Sequence, residues 1–192
     1  MKKYIISIVL VLASFVTFAQ SRIIMDGTDP ETGLRAIGTS SKVVRSGLSD
    51  THGLDLSLMA FQYNGQWEIK LVLQVCERVS HAIPKNAILL VRTKSGEVFE
   101  FANTLERMQS QDFKGAFSPN TKLVTYHNRA SYPVTIDQLK AMAAGVVKIR
   151  MQLFTETFDT IYKKDPFGEA VAELLTVLGP AMAQNKDIRS DF

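Results

Sequence analysis

Leu54, Leu56 and Leu58 alternate strictly with Asp55 and Ser57, and the run continues to Tyr63. Asn64-Gly65 follows, a pair suited to the two positive φ angles of a type I′ turn. Beyond it, Trp67, Ile69, Leu71, Leu73 and Val75 alternate with Glu68, Lys70, Val72, Gln74 and Cys76. A helix would scatter these residues around its circumference, whereas a strand gathers Trp67 to Val75 on one side. The pattern predicts a long antiparallel hairpin with one buried face and one largely solvated face. A second hairpin follows the same logic. Ala87–Lys94 is rich in Ile, Leu and Val, Ser95-Gly96 turns the chain, and Glu97–Ala102 returns with Phe99 and Phe101 on one side. Pro84 marks the entry to that hairpin.

Weaker β-like pieces are Arg22–Met25, Leu34–Ile37, Lys42–Arg45 and Lys122–Tyr126. Asp26-Gly27 and Asp29-Pro30 read as turns that end the first of them. Ser46–Gly53 reads as a loop, and the polar stretch Asn103–Asn120 as a long connection. Thr135-Ile136-Asp137-Gln138 matches a capping box, which predicts a short helix near 136–144 closed by Gly145. Val147, Ile149, Met151 and Leu153 alternate with Lys148, Arg150 and Gln152, another one-sided strand. Phe154–Lys163 fits either period, and Thr155, Thr157 and Thr160 favour strand. Asp165-Pro166 starts a last helix. Its stripe of Phe167, Ala170, Val171, Leu174, Leu175, Leu178 and Met182 faces a core. Gly179-Pro180 is expected to end or kink this helix, which spans roughly 166–183, and Asn185–Phe192 reads as a frayed tail.

The elements add up to an α+β domain. A mostly antiparallel sheet of about seven to nine strands is expected, curled or split into two layers, with the C-terminal helix closing its open side. A barrel-like sheet plugged by that helix is one form, similar in element order to pleckstrin-homology-like domains.

Residues 1–19 change the picture of where the chain goes. Lys2 and Lys3 precede an uncharged apolar run from Tyr4 to Phe18, and Thr17-Phe18-Ala19 offers small residues for cleavage after Ala19. The run falls short of the ~20 apolar residues that a membrane span needs. The expectation is a signal peptide, 1–19, and one exported domain, 20–192. With no cysteine near the run, a lipid anchor is not expected. The ending Phe18-Ala19-Gln20 resembles signals of secreted proteins of Bacteroidetes bacteria. The order of hairpin, long loop, capped helix, Lys-x-Arg strand and terminal helix is similar to small secreted or periplasmic proteins of that group. The resemblance implies export and carries no activity with it.

Composition narrows the classes further. An apolar share of 46% and a charged share of 21% exclude a disordered chain. The net charge of +3, from 22 basic and 19 acidic residues, falls to +1 once Lys2 and Lys3 are removed. A nucleic-acid partner is therefore not expected. A single cysteine, Cys76, excludes a disulfide framework and a Cys-rich zinc module.

Candidate chemistry is sparse. His52, His81 and His127 fall in predicted loops without a His-Glu-x-x-His spacing. A metal site built from His52, Asp50 and Asp55 is weighed against three solvated histidines, and the latter is preferred. Asp26, Asp29 and Glu31 form an oxygen-rich run that calcium would accept, but ordinary turn chemistry accounts for it as well. Cys76 stands next to Glu77, whose charge disfavours a thiolate, so it reads as inert. Lys148 and Arg150, with Lys70, form a possible anion-binding stripe, or charges that keep a sheet soluble. No Gly-x-Ser-x-Gly, Ser-x-x-Lys, Gly-x-x-x-x-Gly-Lys or Gly-x-Gly-x-x-Gly is present. No catalytic, metal or cofactor residue is assigned. The expected function is that of an exported, non-enzymatic domain with a binding or structural role, its partner an envelope protein or a small ligand. Two alternatives stand beside it. One is a periplasmic hydrolase using carboxylates or histidines of 46–53, 103–120 and 127–133, and the other a lipid- or peptide-binding barrel.

Overall fold

The computed structural model describes residues 21–45, 53–77, 82–106, 108–114 and 123–184. The expected signal peptide, Asp50, His52, His81 and residues 185–192 lie outside the described residues. The elements in chain order are β1 (Ile23–Thr28), β2 (Arg35–Thr39), β3 (Lys42–Arg45), β4 (Gly53–Tyr63), β5 (Gln66–Glu77), β6 (Ile88–Thr93) and β7 (Val98–Ala102). They continue with β8 (Met108–Lys114), β9 (Leu123–Val134), α1 (Ile136–Ala143), β10 (Val146–Gln152), β11 (Thr157–Ile161) and α2 (Pro166–Ala183).

The fold is α+β with two antiparallel sheets. Six strands of the larger sheet run in the order β1-β2-β4-β5-β9-β8, and β3 also pairs with β4. The smaller sheet has the order β11-β10-β6-β7. The expected seven to nine strands are thus exceeded, and the sheets do not close into a barrel. The larger ends at β1 and β8, the smaller at β11 and β7.

The long hairpin forms as its alternation demands. Asn64 (φ 50°) and Gly65 (φ 78°) make the turn, and Tyr63 pairs with Gln66. Leu54, Leu56, Leu58 and Ala60 lie opposite Val75, Leu73, Leu71 and Ile69, and all are buried. Ala130, Tyr132 and Val134 of β9 extend this face. Phe167, Val171, Leu174 and Leu178 of α2 join the same core, as do Leu89, Val91, Ile149 and Met151 of the smaller sheet. Each fully buried Leu, Ile or Phe contributes about 1.5–3 kcal/mol by leaving water. Thr135 caps α1 in the expected capping box, and Thr157–Ile161 is strand, as its threonines favour.

Three expectations are corrected. β1 runs through Asp26-Gly27 instead of ending there, because Asp26 pairs with Ile37 and its carboxylate meets the Arg35 guanidinium. Met108–Lys114, read as part of a connection, is an edge strand; edge strands favour polar residues, which erase the apolar alternation. β9 extends to Val134 and carries His127, which was placed in a loop. Pro133 is tolerated there because Ser131, two residues away, turns its N–H and C=O toward Asn103 and Thr104 and away from β5. The missing N–H of Pro133 therefore belongs to the same outer edge. The last helix has its expected span, Pro166–Ala183, with Pro180 inside its last turn. Arg35, 5% exposed, donates to the carbonyls of Ala181 (3.0 Å) and Gln184, so the last turn keeps partners for its terminal carbonyls.

β2 and β3 lie end to end along one edge of β4, with Gly38 opposite Met59 and Lys42 opposite Leu56. In the break, the Thr39 hydroxyl accepts from Leu58 N (2.9 Å) and donates to Leu58 O (3.3 Å). Thr39→Val keeps the shape and strands both groups. A loss of about 1–3 kcal/mol is expected in urea unfolding, with Thr39→Ser restoring most of it. A valine variant as stable as the native chain would show that the hydroxyl is dispensable.

Two buried polar residues tie the layers together. Asn103, 1% exposed, lies just after β7. Its Nδ2 donates to Pro84 O and Leu105 O, and its Oδ1 accepts from Leu105 N and from Ser131 N of β9. Asp165, 9% exposed, caps α2 through Gly168 N (2.8 Å) and accepts from Val146 N (2.9 Å) at the start of β10. Gly168 has no room for a side chain, since a Cβ would meet Met142 O at 2.8 Å as well as the Asp165 carboxylate. The close passage of α2 over the end of α1 depends on that hydrogen.

Candidate functional site

Strand alternation turns a second set of residues away from the leucine rows. Asp55, Ser57 and Met59 of β4, Val72, Gln74 and Cys76 of β5, and His127 and Arg129 of β9 share the outer face of the larger sheet. All but Arg129 are half-buried. A cleft of about 270 Å³ lies on this face, beside the break between β2 and β3. Ile24 and Met25 of β1 wall one side, and Met59 and Val72 continue the apolar lining. Asp55, Ser57, Gln74 and Arg129 supply its polar groups.

Register assembles the chemistry beside this cleft, which Asp55, Gln74 and Arg129 line and Cys76 and His127 adjoin. Cys76 is opposite Gly53 on one side and His127 on the other, and Gln74 lies between Asp55 and Arg129. The Cys76 Sγ is 3.2 Å from His127 Nδ1 and 3.9 Å from Asp55 Oδ2. Gln74 Nε2 lies 3.3 Å from the same Nδ1 and 3.6 Å from the sulfur. Arg129 Nε donates to Gln74 Oε1 at 2.8 Å. A guanidinium only donates, so the amide oxygen faces Arg129 and the NH₂ faces His127. The amide thus donates to Nδ1, which selects the imidazole tautomer protonated on Nε2. The Nδ1 lone pair is then the one aimed at the thiol. Burial pushes the Asp55 carboxyl pKa up, opposed by the neighbouring His127 and the contact with Cys76.

The carboxylate near the thiol is therefore not the one expected. Glu77 follows Cys76 in a strand, so it points to the opposite face, where it is buried and accepts from Asn128 Nδ2 at 2.8 Å. The group beside the sulfur is Asp55, twenty-one residues away in sequence. With the imidazole on its other flank, the thiol is not the isolated group that sequence neighbours imply.

No protein-family model, curated protein or solved structure matches this chain.

Other sequence candidates resolve differently. Asp26 is engaged by Arg35, and Asp29 accepts from Glu31 N (2.9 Å) and Thr32 Oγ1 (2.9 Å), bonds that hold its carboxyl below the usual range. These are turn and strand contacts. Asp55 is brought to Cys76 and His127, while Asp50 and His52 are outside the described residues. Among the described residues, no three His, Cys, Asp or Glu side chains gather closely enough to hold a metal. Lys148 and Arg150 do not share a stripe with Lys70. Lys70 belongs to the larger sheet, paired with Glu68 at 3.3 Å and lying 5.2 Å above the Phe61 ring. Lys148 and Arg150 sit on the smaller sheet and converge on Asp159 at 3.0 and 2.7 Å. Their hydrogen bonds hold the Asp159 carboxyl far below its ordinary range.

The sequence signals for the cluster were partial. Alternation puts Gln74 and Cys76 on the solvated row of β5. The inward row Asn128, Ala130, Tyr132 and Val134 would place His127 and Arg129 on the outer row of β9. Nothing local gives the pairing of Cys76 with His127, which depends on the register of two strands 51 residues apart.

Proposed function

We propose that this is an exported, non-enzymatic binding domain whose small ligand lies in the cleft over the outer face of the larger sheet. The cleft itself carries the reading. A sheet face turned away from the core ordinarily carries solvated polar side chains, yet here it is half-buried, concave and lined by Met25, Met59 and Val72 next to Asp55, Gln74 and Arg129. Apolar walls with a few oriented polar groups suit a small amphipathic molecule. Arg129 offers a cation to an acidic group on it, while Ser57 and Asp55 offer hydrogen bonds. Export rests on the character of residues 1–19, and no helix among the described residues is long and apolar enough to cross a membrane.

Native mass spectrometry of the protein purified from its own envelope tests this. The native chain is expected to carry a bound small molecule. Ser57→Arg, which fills the cleft and leaves the leucine face untouched, is expected to lose it with the melting temperature little changed. A bare native chain, or a ligand that survives Ser57→Arg, would refute the reading.

A further inference from the structure

We propose that Cys76 is a thiol-exchange site, with His127 as its base, that takes a low-molecular-weight disulfide. The inference does not depend on what the cleft binds. It stands on the arrangement of four side chains around the sulfur: His127 at 3.2 Å, Gln74 at 3.6 Å and Asp55 at 3.9 Å, with Arg129 holding the Gln74 amide in place.

The steps balance without any added oxidant. The Cys76 S–H proton passes to the lone pair on His127 Nδ1. As Nδ1 becomes a donor, the Gln74 amide loses its acceptor there and turns its hydrogen to the new thiolate, which it already approaches. The thiolate attacks one sulfur of R–S–S–R, the S–S bond breaks, and a Cys76–S–S–R bond forms. The departing RS⁻ takes the proton from the imidazolium and leaves as RSH. Among the described residues, the titratable and charged groups facing the reaction are Asp55 from β4 and His127 and Arg129 from β9. Asp55 supports the imidazolium and opposes the thiolate, and Arg129 acts through Gln74.

Two observations choose sulfur chemistry over acyl transfer. Acyl transfer needs hydrogen-bond donors for an oxyanion, commonly backbone N–H groups. Cys76 lies within a strand paired on both sides, so the main chain here is committed to ladders. Among the described residues, Gln74 Nε2 is a side-chain donor near the sulfur, at 3.6 Å. Displacement at a disulfide develops no oxyanion and requires only a thiolate with access. Cys76 is half-buried, and the cleft of about 270 Å³ next to it is lined by its neighbours Asp55 and Gln74 and not by the sulfur itself, an approach that suits a small disulfide better than a folded protein. The chain has no second cysteine to resolve the product, so the mixed disulfide persists until an external thiol removes it.

Intact-mass spectrometry with oxidised glutathione as the probe decides the matter. The folded chain is expected to gain one glutathionyl adduct about tenfold faster at pH 7 than the same chain unfolded in urea, because the base raises the thiolate fraction of the folded thiol and unfolding removes it. His127→Ala is expected to slow the folded reaction by about tenfold. An inert, packed thiol behaves oppositely and reacts faster when unfolded, and that result overturns the proposal even if the His127 variant fails to fold. An unchanged rate in a folded His127→Ala, or a Cys76-linked dimer in place of the small adduct, would also overturn it.

Discussion

Asn103→Leu is expected to cost about 3–5 kcal/mol of stability, which lowers the melting temperature by on the order of 10 °C. The buried side chain makes four hydrogen bonds, two given and two received, of which the one from Ser131 N is fully buried and the others partly so. Leucine has a similar volume, so packing is nearly kept and the loss is one of unsatisfied polar groups. Removing one partner of a buried hydrogen bond leaves the other with its full desolvation penalty, about 1–3 kcal/mol each, and neighbouring losses overlap. The cost is large against a total of about 5–15 kcal/mol. The position matters because Asn103 follows β7 of the smaller sheet and holds Ser131 of β9 in the larger one. Asn103→Asp sharpens the test. Aspartate still accepts from Leu105 N and Ser131 N, but its second oxygen faces the carbonyls of Pro84 and Leu105. Burial and the two facing carbonyls disfavour its charged form, so the penalty of this variant is expected to shrink as pH falls. Urea unfolding at pH 4 and pH 8 measures both variants. A leucine variant within about 1 kcal/mol of the native protein would show that this junction is not needed.

Asp165→Ala is the second large effect, with an expected loss of about 2–4 kcal/mol. The helix cap to Gly168 N accounts for about 1 kcal/mol. The orphaned Val146 N adds about 1–3 kcal/mol. Lys94 lies 3.3 Å from the same carboxylate, but its side chain is 58% exposed, so Lys94→Met should change stability little. Asp165→Asn does not rescue, because one face of the amide still accepts from Gly168 while its NH₂ meets the Val146 N–H. Hydrogen exchange should show the loss concentrated at the start of α2 and the first residues of β10. Equal destabilisation by Lys94→Met would mean that charge, and not the two backbone bonds, governs the junction.

These two junctions show what was readable in the chain and what was not. Asp165 was legible as a helix start, since Asp-Pro before an apolar stripe has a local cause. Its bond to Val146 was not, because that N–H is brought in by another strand. Asn103 carried no signal of its importance. It stood at the head of a polar stretch, and only the meeting of two sheets buries it. The same division applies to the outer face. Cys76 could be placed on the solvated row of β5, and its sequence neighbour Glu77 then looked decisive. Alternation sends Glu77 to the other side, while register brings Asp55 and His127.

Period and turn chemistry are short-range properties, so the chain itself determined the hairpin about Asn64-Gly65, the capped helix after Thr135, the final amphipathic helix and the α+β class. Each follows from which side chains an element must bury and which backbone angles its turn requires. Strand order, the split into two sheets, the strand character of Met108–Lys114 and the run of α2 through Pro180 were decided by tertiary structure. They depend on partners distant in sequence: β9 beside β8, Arg35 beneath the end of α2, and Thr39 filling the break along β4. The thiol–imidazole pair belongs to this second group, because a strand's own pattern selects a face and only its neighbour selects the register.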